Sequence, residues 1–183
     1  FGLSAIYVFE GKTGTAWILS QSGGALASFQ SALLVGMCPR VISFVEQKIF
    51  FTQDGTLAAD IGAPAIAPGY ISVLDLSVTF NSASVSTKEI IGGAVDEVWA
   101  ATFDGVDTIY FVGKAGTIMN YNVSTDTVVS GLINGFGVGV SAALRCNAKY
   151  YLNNLYISSL AGFVAGPTGK TGALKVDLTS FPT

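Results

Sequence analysis

A phrase written four times constrains this chain more than anything else in it: IYVFEGKTGTAW from Ile6, IFFTQDGTLAAD from Ile49, IYFVGKAGTIMN from Ile109 and LYISSLAGFVAG from Leu155. Each copy opens on aliphatic and aromatic residues and runs into a turn and a glycine, the pattern of a short strand entering a tight turn. The third copy sits in the clearest stretch, DTIYFVGKAGTIMNYNVSTDTVVSG from Asp107 to Gly131, which reads as three strands and two turns, a β-meander. Ile109, Phe111, Ile118, Tyr121, Val123 and Val128 are strand residues there, and Gly113 to Gly116 and Ser124 to Asp126 carry the turns.

The remaining segments follow suit. SAIYVFEG and TAWILSQ form a hairpin over Thr13 and Gly14; VISFVE, KIFFTQ and TLAADI are strands, the last two separated by Asp54-Gly55, a hairpin signal. After the Pro64 and Pro68 loop, YISVLDLSVTF is read as one long strand, NSASVSTKE as an exposed polar segment, and Val98 to Phe103 as a strand before the Asp104-Gly105 turn. Strands flank Asn153-Asn154, and GALKVDLT is a final alternating strand. Only GALASFQSALLVGM is ambiguous: Leu26, Phe29, Leu33 and Met37 have helical offsets, while Gly23, Gly24, Gly36 and the β flanks fit a buried strand. The fold class is therefore all-β, built of repeated antiparallel meanders, and 183 residues make one domain spanning 1–183.

The repeats start near 6, 49, 109 and 155, so they are 43, 60 and 46 residues apart, and two of these spacings match the roughly 40 to 50 residues of a propeller blade. On these residues the chain resembles a β-propeller, and GTIMNYNVSTDTVVSG is similar to the quinoprotein-like repeat, with its glycine, aromatic-containing strand and polar turn. The Trp-Asp dipeptide of WD40 repeats does not occur, nor does the double glycine of kelch repeats recur in register. The resemblance implies a small β-propeller or part of one, or several stacked sheets. Closure into a ring would place GALKVDLT beside SAIYVFEG. By analogy of fold, the texture also resembles phage tail and nozzle propellers.

Composition narrows the function classes. Charged residues are 11% against the usual figure of about 25%, and glycine is 22 of 183 residues against roughly 7%. A surface so poor in charge is expected to be covered in part by neighbouring subunits. The net charge is -3 and the nine Lys and Arg are scattered, so nucleic-acid contact is not expected. No apolar run reaches the roughly 20 residues of a membrane-spanning helix. The chain starts at Phe1, an expectation of a preceding segment removed or not included. Histidine is absent, which removes the commonest general base and metal ligand. Cys38 and Cys146 give no metal or disulfide spacing and are read as separate half-buried thiols, a pairing in space remaining open.

A few residues are candidates for chemistry. Asp54, Asp60, Asp104 and Asp107 lie near turn glycines, where carboxylates either serve the turn or hold calcium, and their spacing fits no EF-hand loop. Asp96 and Glu97 are adjacent and point to opposite sides of a strand. NGFGVGVS lacks the Gly-Lys-Ser/Thr of a phosphate loop, and GPTGKTG fails its spacing. Trp17, Trp99, Tyr110, Tyr121 and Tyr156 are candidates for stacking on a ligand if exposed on one face, although their places within strands favour core packing, and Asn122-Val123-Ser124 fits a glycosylation triplet. No catalytic, cofactor-binding or metal-binding set emerges. The expectation is a non-catalytic structural or interaction module of an extracellular or virion assembly of the phage-tail type, without cofactor, whose partners are protein subunits, in a homo-oligomer. The alternatives are a carbohydrate- or ligand-binding propeller and, from the resemblance, a quinoprotein-like enzyme fragment.

Overall fold

The structure is a computed structural model, and it describes residues 5–43, 46–53, 61, 66–90, 97–113, 117–133, 146–159 and 172–179. Sheet I contains β1 (Ile6–Glu10), β2 (Thr15–Leu19) and β3 (Ala25–Gln30). Sheet II contains β4 (Met37–Ser43), β5 (Lys48–Gln53), β6 (Tyr70–Asp75) and β7 (Val85–Glu89). Sheet III contains β8 (Val98–Phe103), β9 (Thr108–Gly113), β10 (Ile118–Asn122) and β11 (Thr127–Ile133). Sheet IV contains β12 (Cys146–Tyr151), β13 (Asn154–Ser159) and β14 (Gly172–Asp177). Every sheet is an antiparallel meander of consecutive strands, and the four follow one another in chain order, the blade arrangement of a propeller-like fold.

Packing between sheets explains the repeated phrase. Its copies are β1, β5, β9 and β13, and in the two middle sheets this strand is buried on both faces. Ile49 and Phe51 of β5 pack towards sheet I, with Ala16, Ile18 and Leu34, whereas Phe50 packs towards sheet III, with Phe111 and Tyr121. On β9, Ile109 and Phe111 return the contact to sheet II, and Tyr110 and Val112 face Leu155 and Ile157 of sheet IV. Three apolar cores thus join the four sheets in series among the described residues. Aromatic edges and faces lock them: Phe9 meets Phe51 edge-on at 4.8 Å, Phe50 tilts on Tyr121 at 5.7 Å, and Tyr110 stacks on Tyr150 at 5.7 Å.

The opening strands of sheets II, III and IV converge on one edge of the arc. Arg40 on β4 donates from Nε to Thr52 Oγ1 (3.1 Å) and from Nη1 to Asn147 Oδ1 on β12 (3.3 Å), reaching past the intervening sheet. Thr52 Oγ1 in turn donates to the Trp99 carbonyl of β8 (3.0 Å), and the Tyr150 amide donates to Thr102 Oγ1 (3.1 Å). β4, β8 and β12 are therefore the inner strands, and β5, β9 and β13 stand second. By its sequence β1 is also a second-position strand, so sheet I lacks an inner strand and sheet IV an outer one among the described residues.

Several expectations need correction. β14 pairs with β13 and β1 with β2, so the first and last strands do not close a ring through a shared sheet. The ambiguous segment is β3 followed by a single 3-10 turn at Ala32–Leu34, and Gly36 at φ 75 leads into β4. β4 starts ahead of the expected VISFVE, taking in Pro39, which is tolerated because the register shifts between Pro39 and Val41. The long strand from Tyr70 stops at Asp75, whose Oδ1 accepts from the Ser77 amide (2.8 Å) and hydroxyl (2.6 Å) and turns the chain. NSASVSTKE, expected as an exposed polar segment, supplies β7, on which Ser86, Thr87 and Glu89 are exposed. TLAADI lies outside the described residues. In the first hairpin Gly14 has φ 68, and a Cβ there would lie 2.2 Å from the Ser31 carbonyl oxygen, so the position admits only glycine.

Phe50→Ala is expected to cost about 3–5 kcal/mol, because it empties the junction of sheets II and III, whereas Val106→Ala at a residue 79% exposed changes stability by less than about 0.5 kcal/mol. Urea unfolding of both variants checks the contrast.

Candidate functional site

The five aromatic candidates do not share a surface. Trp99, 2% exposed, is buried between sheets III and IV, its Nε1 donating to Glu97 Oε2 (2.9 Å). Tyr121, 1% exposed, belongs to the core between sheets II and III. Burial removes both from any stacking platform and leaves core packing, the reading that their places within strands favour. Tyr110 is half-buried against Tyr150 at the junction of sheets III and IV. Trp17 and Tyr156 lie at opposite ends of the arc, on the outward faces of sheets I and IV.

The acidic candidates serve turns. Asp104 Oδ1 accepts from the amides of Val106 (2.8 Å), Asp107 (3.0 Å) and Thr108 (3.0 Å). Asp107 accepts from the Ser124 amide (2.9 Å) and hydroxyl (2.6 Å), and these bonds, the hydroxyl's first, hold its carboxyl below the ordinary carboxylate range. Asn122 Oδ1 accepts from Thr125 and Ser124, so the glycosylation triplet is also turn machinery. Cys38 is a free, half-buried thiol, not bonded to Cys146. Asp54, Asp60, Asp96, the glycine-rich NGFGVGVS and the Gly-Lys-Thr of GPTGKTG lie outside the described residues.

A cleft of ≈ 260 Å³ opens where sheet II meets sheet III, lined among others by Lys48, Asp75, Thr87, Lys88, Tyr121 and Asp126. Two cations face two carboxylates, so the cleft is electrically balanced. Lys88 Nζ donates to Asp126 Oδ1 (2.7 Å) and to its carbonyl (2.9 Å), and lies 4.9 Å from the centre of the Tyr121 ring. The Tyr121 hydroxyl also donates to Asp126 Oδ1. Burial first, and then Asp126, raise the Tyr121 pKa far above that of a free phenol, which keeps it a donor. Asp126 is pushed up by desolvation but pulled down further by the bonds from Lys88 and Tyr121 and by the nearby lysine charges, so it stays ionised. The group ties strand β7 of one sheet to the β10–β11 turn of the next. Sequence reasoning missed it because Lys88 and Asp126 are 38 residues apart.

The second surface of note is the outward face of sheet I. Ile6 (48% exposed), Val8 (39%) and Leu26 (67%) stand on it with half-buried Trp17 and Leu19, where the equivalent faces of sheets II and III are covered by a neighbour. Contiguous exposed apolar side chains of this kind mark contact surfaces.

No protein-family model and no curated protein matches the sequence. Among solved structures the chain is similar to Sqt1 of Saccharomyces cerevisiae, with a TM-score of 0.50 and 9% identity over 91% of this chain and 43% of that one. It also aligns with apo AztD from Citrobacter koseri, with a TM-score of 0.47 and 13% identity over 100% of this chain and 46% of that one. The chain spans less than half the length of either, and at such identity the likeness to Sqt1 concerns the fold alone.

A depressed carboxyl pKa means stability present above the ordinary carboxylate range and lost as pH falls through the lowered value. For Asp126 the expected outcome in Lys88→Met is an NMR-titrated carboxyl pKa moved upward and lower stability at neutral pH, the two proteins converging at acid pH.

Proposed function

We propose that this chain is a non-catalytic structural and interaction module that works by associating with protein subunits of its own assembly. The outward face of sheet I carries this reading: its strands present Ile6, Val8, Leu26 and Trp17 in the same alternation that buries β5 and β9. The small number of charges on the whole chain supports it, since little electrostatic repulsion opposes association. The finer reading, that the assembly is extracellular or part of a virion tail, rests on the resemblance of the short aromatic strands and polar turns to phage propellers.

The cleft at the junction of sheets II and III favours a second reading, binding of a small polar or carbohydrate ligand by Lys48, Asp75 and Thr87 beside the Lys88–Asp126 pair. Binding on a glycan array that disappears in Lys48→Ala is its test.

For the leading reading, light scattering of the purified chain is expected to give a mass well above 18.9 kDa, falling in an Ile6→Lys, Leu26→Lys variant that retains its β circular dichroism. A monomer of 18.9 kDa at all concentrations overturns it.

A further inference from the structure

The two ends of the arc present faces equivalent to those that the interior sheets pack against one another. Strand position and register align the copies residue by residue. Tyr7, Phe50, Tyr110 and Tyr156 follow the first residue of each repeated phrase, and the first three face the next sheet along the arc. Tyr7 packs on Phe80 in the connection between β6 and β7, Phe50 on Phe111 and Tyr121 of sheet III, and Tyr110 on Tyr150 of sheet IV. Tyr156 occupies this place on the last sheet and is 36% exposed.

The receiving positions are taken from the junction of sheets II and III. Phe111 and Tyr121, which receive Phe50, correspond by register to Val8 and Leu19 of sheet I: Tyr121 is paired with Ile109 as Leu19 is with Ile6. Val8 is 39% exposed, and nothing among the described residues covers that face. Charge agrees with this matching. Glu10 is the charged strand residue of the sheet I face, whereas sheet IV presents Lys149 and Lys175 directly beside Tyr156, with Asp177 further along.

We propose that a second copy of this chain docks head to tail, the outward face of its sheet I seating on the outward face of sheet IV, with Tyr156 of one copy against Val8 and Leu19 of the other. This rests on the association reading above and specifies its geometry. Such a contact is heterologous, so each copy keeps one free face until the rotation closes a ring. A closed pair contains eight sheets, within the usual propeller range of about 4–8 blades.

The test mixes two forms of the full chain, both carrying Cys38→Ser and Cys146→Ser, one with Tyr156→Cys and the other with Val8→Cys, under oxidised and reduced glutathione. A mixed disulfide between the two forms, together with a wild-type mass of twice 18.9 kDa, is the expected result. Tyr156→Ala is expected to weaken association roughly tenfold or more. Disulfides only between two Val8→Cys chains, in an associating protein, overturn the head-to-tail contact and leave the association reading intact. A wild-type chain of 18.9 kDa that forms no disulfide overturns both.

Discussion

A strand with apolar side chains on both faces has to be covered twice, and the architecture follows from that requirement. In β5, Ile49 and Phe51 demand a sheet on one side and Phe50 demands another on the opposite side. A sandwich of two sheets satisfies only one of these demands, because its outer faces meet water. Repeating such strands forces a row of sheets, and the twist inherent in each sheet turns the row into an arc about its inner strands. The Arg40 bonds to Thr52 and Asn147 fall on that inner edge, where three sheets come close enough for one guanidinium to touch two of them.

The polar chemistry of the molecule serves this geometry. Asp75, Asp104 and Asp107 spend their oxygens on the amides and hydroxyls of turns, and Asp126 gathers Lys88 and Tyr121 at a seam between sheets. The same hydrogen bonds hold the carboxyls of Asp75, Asp107 and Asp126 below the ordinary carboxylate range.

Much of this was legible in the sequence. KIFFTQ coincides with β5, Val98 to Phe103 with β8, and the meander from Asp107 with β9, β10 and β11, because glycine turns and alternation act over a few residues. β7 escaped notice because, as the outer strand of sheet II, its exposed Ser86, Thr87 and Glu89 carry little apolar signal. The placing of β1 and β14 in different sheets and the Lys88–Asp126 bond depend on which sheet abuts which. Residues far apart in the chain decide those matters, and local spacing does not record them.

Three cores connected in series also determine how the molecule comes apart. With each sheet stabilised by its immediate neighbours, the free energy is a sum of nearest-neighbour terms rather than the property of one shared core. In a single chain on its own, and among the described residues, sheets II and III are held from both sides and sheets I and IV from one, so opening proceeds from the ends inward. Amide protons of β5 and β9 are then the slowest to exchange with solvent, and those of β1 and β14 the fastest, a gradient of protection drawn along the arc.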